Sequence, residues 1–403
     1  MRVLAYTSPA RGHLNPMMGP LLELAARGAE VHVRTLASEL AAVRAAGLRC
    51  EPIDPRIEAI EMDDHSAGSQ LAAGARAFDV WARRAELEVG DLEAALAVVS
   101  PDLALIDTTT YGAKAVVERE RLPWAESRPF LLEDPAPGVP PFGFGLRPKP
   151  GPLGRLRDAA LARLSSRFDA KVRLPTVNAG RLAARLPPCA AIAEARNRAR
   201  LTLYFTAQPF EYRRPLPPGV LMVGPGAWEP PSSVAVDLPE SARPLALVTC
   251  SSEFQDDGQI AAAALLGLRD GWRVVVTAAG VDPATLPAAD DAVVERFLPH
   301  RPLLERASVV VCHGGMGITQ KALSHGVPVC VVPWGRDQLD VAAHVLEARA
   351  GTRVARRRLS PKRLASAVEA ARECEPGALR VKAGYEATGT TARAATAIEA
   401  LLP

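Results

Sequence analysis

Val309-Val310-Val311-Cys312 runs directly into His313-Gly314-Gly315-Met316-Gly317, and helix-like periodicity begins at once. Strand, glycine turn and helix start in that order build an anion site. Glycines let the backbone approach a ligand, and the first N–H groups of the helix point beyond the strand. The helix dipole adds roughly half a positive charge there. A diphosphate suits such a cradle, although the same triplet also serves as a plain strand-to-helix turn. A second pair of residues lies near the start. His13 sits in the loop Ser8-Pro9-Ala10-Arg11-Gly12-His13-Leu14-Asn15-Pro16, and Asp107 closes the run Pro101-Asp102-Leu103-Ala104-Leu105-Ile106-Asp107. A carboxylate that accepts an imidazole N–H orients the ring and stabilises its protonated form, leaving the other nitrogen as a general base. Unperturbed histidine titrates near ~6.5, which suits such work at neutral pH. Taken singly, each residue also has an ordinary reading: a surface loop histidine, and an aspartate capping a helix from about Thr109.

These residues need elements to position them. Arg2 to Thr7 reads as a buried strand, and Met17 to Arg27 has helical periodicity ending at Gly28. Asn15 is a good N-cap, and Pro16 fits the first helical position. Val31 to Thr35 is the next strand and Ser38 to Ala46 the next helix. Such alternation predicts a parallel, doubly wound sheet with helices on both faces. His13 and Asp107 then fall on one carboxyl edge. The first loop holds only Gly12 where a G-x-G-x-x-G fingerprint would need three glycines, which argues against nicotinamide or flavin there. Residues 53–100 read as mostly helical around a polar loop from Glu61 to Gly74. The Pro/Gly-rich stretch 129–153, with Phe142 and Phe144, reads as a long loop that either lines an apolar pocket or covers the sheet. The basic stretch 151–200 reads as a solvated helix face. Leu201 to Thr206 and Val220 to Val223 read as strands closing the first half.

Gly224-Pro225-Gly226-Ala227-Trp228-Glu229-Pro230-Pro231-Ser232-Ser233 breaks both periodicities and marks a boundary. Beyond it the alternation resumes, with strands at 244–249, 272–277, 292–297, 308–312 and 327–333. The expected division is an N-terminal domain over 1–225, a linker over 226–243 and a C-terminal domain over 244–380. A C-terminal helix over 381–403 is placed to pack back on the first domain. The fold class is α/β: two Rossmann-like domains facing each other across a cleft, where a ligand is expected.

At 403 residues two domains are the default. Hydrophobic content of 48% and charged content of 23% are ordinary for a globular protein. A net charge of +3 is too mild to argue for nucleic acid. The six cysteines, at 50, 189, 250, 312, 330 and 374, show no metal spacing and suit reduced, buried thiols. No apolar run reaches the ~20 residues of a spanning helix. The expectation is a soluble cytoplasmic protein without stable membrane insertion.

Gly12-His13-Leu14-Asn15-Pro16, the turn from Thr249 to Ser252, Phe297-Leu298-Pro299-His300, His313 to Gly317, Gly326-Val327-Pro328 and Asp337-Gln338 follow one another in a familiar order. Together they resemble a nucleotide-sugar-dependent glycosyltransferase of GT-B fold, of the bacterial macrolide and natural-product type. The resemblance spans essentially the whole chain. It implies an inverting, metal-independent transfer from a UDP- or dTDP-sugar to a hydroxyl of a small apolar acceptor, with no cofactor. His13 would be the general base and Asp107 its orienting partner. His313, Gly314, Gly315, Met316 and Gly317 would hold the diphosphate, with Thr249 and Ser252 beside it and Leu298 near the base. Trp334 would border the donor site, while Asp337 and Gln338 would bond sugar hydroxyls. Trp81, Phe142 and Phe144 would contact the acceptor. Three positions depart from the family pattern. Ile318 replaces a small hydroxyl residue, which moves a phosphate contact to Thr319 or removes it. Lys321 replaces a glutamate for the ribose, and either points away or attracts phosphate. Ser251 replaces a glycine. A GT-B relative that modifies the nucleotide sugar itself, such as an epimerase, and a non-catalytic homologue acting as a binding partner remain as alternatives. The His13/Asp107 pair counts against both.

Overall fold

A computed structural model describes residues 1–403 except 197, 232–235, 237, 239, 240, 254, 290 and 403. Much of the expected linker, Ser232 and Ser233 included, therefore lies outside the described residues.

Two parallel sheets form the frame. The first contains β1 (Arg2–Tyr6), β2 (Glu30–Thr35), β3 (Arg49–Pro52), β4 (Leu103–Asp107), β5 (Trp124–Arg128), β6 (Leu201–Tyr204) and β7 (Val220–Met222), in spatial order β3-β2-β1-β4-β5-β6-β7. The second contains β8 (Leu245–Thr249), β9 (Arg273–Thr277), β10 (Val293–Glu295), β11 (Ala307–Cys312), β12 (Val329–Val331) and β13 (Gly351–Arg353), in order β10-β9-β8-β11-β12-β13. Helices pack on both faces of each, so the architecture is the expected pair of Rossmann-like domains. The central strands β1, β4, β8, β9 and β11 are short and largely apolar because they are covered on both sides. Val309, Val310, Val311 and Cys312 are fully buried, and burying a valine side chain contributes roughly 1.5–3 kcal/mol.

In both sheets the strand order reverses at the pair that carries the candidate site residues. β1 lies beside β4, and β8 beside β11, with Thr249 in register with Cys312. Connections leave these pairs in opposite directions and open a crevice at the carboxyl ends. His13 follows β1, Asp107 ends β4, Thr249 ends β8 and His313 follows β11. The topology thus brings together residues 94 positions apart.

Several local expectations are corrected. The first helix spans Arg11–Ala26, with Ala10 at its N-cap, so Asn15 is no cap and Pro16 and Pro20 lie inside it. An interior proline costs roughly 3 kcal/mol. Here the fully buried side chains of Leu14, Met17, Met18, Leu21 and Leu24 hold the helix against the sheet and outweigh that cost. The polar loop expected to reach Gly74 ends earlier, because the helix Gln70–Val99 starts on Ser69, whose hydroxyl accepts from the Ala72 N–H at 3.2 Å. The C-terminal segment is two helices, Glu375–Ala387 and Thr390–Glu399. The second places Ala394, Ala395 and Ile398 in one core cluster with Val3, Leu14 and Met17. All six cysteines are free, and five are buried. Burial pushes the Cys312 thiol up to about 11. Among the described residues no helix is long and apolar enough to cross a membrane.

Candidate active site in the interdomain cleft

One cleft of ≈ 1600 Å³ runs between the two sheet edges. On its N-terminal side His13 Nδ1 lies 2.7 Å from Asp107 Oδ2. Asp107 is fully buried and also accepts from the Thr109 N–H at 2.8 Å and the Thr109 hydroxyl at 2.5 Å. This turn fixes the carboxylate but caps no helix, since the next one, Tyr111–Arg119, has Thr110 at its N-cap and no side-chain cap bond. Nε2 has no hydrogen-bond partner among the described residues, and His13 lines the cleft. Burial by itself would lower the imidazole pKa, but the adjacent Asp107 carboxylate raises it above its ordinary value. Burial likewise opposes ionisation of Asp107, yet His13 and the Thr109 donors bring its pKa below the usual range.

The C-terminal side carries the glycine turn from His313 to Gly317. Gly314 adopts φ +94°, and a Cβ there would lie 2.6 Å from Val331 Cγ1, so both conformation and space require glycine. The His313 ring folds over Gly315, where a Cβ would fall 2.5 Å from Nε2. The helix Met316–Ser324 begins with Gly315 at its N-cap and no side-chain cap, leaving its first N–H groups facing the cleft. His313 Nδ1 is buried without a hydrogen bond, 3.7 Å from Asp257 Oδ2. Burial, with the nearby Arg336 charge, lowers this imidazole to about 4. At neutral pH it is an uncharged ring.

The two sides face each other. The charges of Glu253 and Asp337, both from the second half, act on His13 across the cleft. Burial pushes Asp337 up to about 6, while Arg336 and His13 pull it back.

Other expected residues divide into those that reach the cleft and those that do not. His313, Gly315, Met316, Gly317, Thr249, Ser252, Asp337, Gln338, Trp81, Phe142 and Phe144 line it. The Leu298 side chain belongs instead to the second-domain core, and its neighbour Phe297 is the one facing the cleft. Trp334 packs against the core with Arg356 stacked 4.1 Å from its ring centre. Gln338 lends Oε1 to the Trp334 and Gly335 N–H groups at 2.7 and 2.9 Å, and its amide donates to Gln255 at 2.8 Å.

The three departures also find places. Thr319 is fully buried, its hydroxyl 3.8 Å from Cys312 Sγ, so it does not replace the contact absent at Ile318. The Ser251 hydroxyl accepts from Gln255 at 2.7 Å and joins the turn after β8 to Gln338. Lys321 points into the cleft wall and pairs with Glu229 at 3.3 Å. Glu229 also accepts from the His300 and Arg301 N–H groups at 2.9 and 3.2 Å. Sequence reasoning passed over Glu229 because it lies in a proline-rich stretch without periodicity. It also passed over Asp64, Glu253 and Arg336, whose pairing only the closed cleft reveals.

Residues 270–395 match the family model described as Erythromycin biosynthesis protein CIII-like, C-terminal domain. Over its full length the chain is similar to 4'-demethylrebeccamycin synthase of Lentzea aerocolonigenes, with 31% identity across 100% of this chain and 99% of that protein. The crystal structure of the calicheamicin glycosyltransferase CalG4 matches with a TM-score of 0.75 and 22% identity, covering 100% of this chain and 98% of that one. Glycosyltransferase VinC, solved in complex with dTDP, gives a TM-score of 0.71 at 20% identity, covering 100% of this chain and 99% of that one. The chain belongs to the GT-B-fold glycosyltransferases of the bacterial natural-product type, enzymes that use nucleotide-sugar donors.

Proposed function

We propose that this chain transfers a sugar, with inversion and without a metal, from a UDP- or dTDP-linked donor to a hydroxyl of a small apolar acceptor. The observation that carries this reading is the 2.7 Å His13–Asp107 pair opening onto the same cleft as the uncapped helix behind His313. His13 Nε2 takes the acceptor O–H proton as that oxygen attacks the anomeric carbon. The bond from that carbon to the phosphate oxygen breaks, and its electron pair leaves with the nucleoside diphosphate. Asp107 stabilises the imidazolium that forms. The first N–H groups of the helix Met316–Ser324 and the uncharged His313 ring meet the charge developing on the diphosphate. Asp337 lies where a sugar hydroxyl donates to it. Base and leaving group sit on opposite cleft walls, so the new bond forms on the face opposite the one that breaks. Phe142, Phe144 and Trp81 give the acceptor side an apolar wall. The dTDP held by VinC supports the donor class.

His13→Ala tests this directly. Transfer is expected to fall by ~10²–10⁴-fold while nucleoside diphosphate binding, followed by calorimetry, persists. Unchanged transfer would remove the base assignment, and loss of binding would show that the substitution damaged more than the base.

A further inference from the structure

One guanidinium joins the two walls of the cleft. Arg336 Nε and Nη2 lie 3.0 and 3.1 Å from the two carboxylate oxygens of Asp64, a residue of the first half. Its Nη1 lies 2.7 Å from Glu253 Oε2, on the turn after β8. Its carbonyl accepts from Gln70 Nε2, at the start of the helix Gln70–Val99, at 2.7 Å. The Asp64 side chain is 5% exposed and that of Arg336 27%, so the pair is partly shielded from solvent. Burial disfavours the guanidinium, but the bond to Asp64 and the charges of Glu253 and Asp64 raise its pKa, and it stays charged. Arg336 also has φ +54°, a left-handed conformation that a non-glycine residue keeps only when its surroundings impose it. The residue that follows is Asp337.

Segment 60–70 is itself pinned. Arg84 Nε donates to the Ile60 carbonyl at 3.1 Å, and Arg76 donates to Ser66 Oγ. Met62, His65 and Gln70 from this segment line the cleft on the acceptor side. Arg336 thus bonds both this segment, through Asp64 and Gln70, and the turn after β8, and is followed in sequence by Asp337.

Building on the transferase reading, we propose that Arg336 is a positioning residue. Held between Asp64 and Glu253, it closes segment 60–70 over the cleft and sets the Asp337 backbone, so that the donor sugar meets the acceptor and not water. A bidentate fork suits this task, because it fixes angle as well as distance; lysine offers only a point charge.

The test is the partition of donor turnover between transfer and hydrolysis. UDP- or dTDP-sugar consumption and glycosylated product are measured together with an accepted phenolic or alcoholic acceptor. In Asp64→Asn the hydrolysed fraction is expected to rise about tenfold, with nucleoside diphosphate affinity within twofold of the parent. Arg336→Lys should give a smaller rise and Arg336→Met the largest. Asp64→Asn combined with Arg336→Met should be no worse than Arg336→Met alone, because both act through one contact. If transfer and hydrolysis fall in parallel in all variants, or if the two substitutions add, the coupling role is overturned while the transferase assignment stands. If the unsubstituted chain turns over no nucleotide sugar, the transferase reading fails and takes this inference with it.

Discussion

His13, in the first turn of the helix after β1, and His313, in the turn after β11, both lie where a sheet reverses its strand order, yet their surroundings drive them apart. His13 is half-buried against a carboxylate and its pKa is raised. His313 is buried with its Nδ1 unpaired and an arginine nearby, and it falls to about 4. The surroundings of one ring favour its protonated form, and those of the other disfavour it. The lesson is that a histidine after a strand carries no role of its own. What decides is whether a carboxylate comes within hydrogen-bond reach of the ring, as Asp107 does at 2.7 Å and Asp257 at 3.7 Å does not.

The comparison has consequences that can be measured. After His13→Ala, the next largest effect is expected for Asp107→Asn, a loss of kcat/KM on the order of 10²-fold. Its pH profile is the sharper readout. The acid limb of the parent should lie above roughly 6.5, because Asp107 raises the imidazole. Without the carboxylate burial prevails, and the limb should move below that value; an unmoved limb would separate Asp107 from the base.

Stability should follow the same signs. The raised His13 contributes below roughly pH 6.5 and loses its contribution as pH rises through the folded value. The lowered Asp107 contributes above roughly pH 4 and loses its contribution as pH falls through its own folded value. The difference in Tm between parent and Asp107→Asn should therefore be widest between these limits and shrink toward pH 9.

At His313 the expectation is opposite in kind. His313→Ala should weaken nucleoside diphosphate binding by roughly 1.5–3 kcal/mol, the worth of a hydrogen bond to a charged group, and His313→Gln by less. Because the ring stays neutral down to about 4, titration calorimetry between pH 5 and 9 should show no step that His313→Gln removes. Such a step would make the two histidines alike after all.

Gly314→Ala should cost about 1–3 kcal/mol in thermal unfolding through its φ of +94° and the approach to Val331. The smallest effect is expected at Glu229→Gln. The Lys321 pair is partly screened, and donor affinity should change by about 1 kcal/mol or less.

Much of this comparison was legible in the sequence. β-branched runs and strand–helix alternation give two doubly wound sheets, and the ends of parallel strands must share an edge. That logic placed His13, Asp107, Thr249 and His313 without any contact being known. What escaped was set by packing rather than by pattern. Pro16 reads as a helix start because nothing local reveals the buried face that holds the helix through it. Leu298 and Trp334 carry the right neighbours, but their own side chains turn inward, a matter of one residue in phase. Lys321 looks anomalous until Glu229 arrives from a stretch 92 residues earlier. Asp64 lies in a polar stretch without periodicity, and only closure of the cleft gives it a partner.

The helix that presents His13 is buttressed from the far end of the chain. Arg27 donates to the Ala392 carbonyl at 3.1 Å and to Glu399 at 2.8 Å, and Ile398 lies in the core under β1. During synthesis these residues leave the ribosome after the whole second sheet. The first domain therefore waits, with one side of its core uncovered, until the second is made. Support for the helix that carries His13 is thus completed only by residues 392–399, which follow the second sheet in the chain, so the first domain is finished with residues from beyond the second.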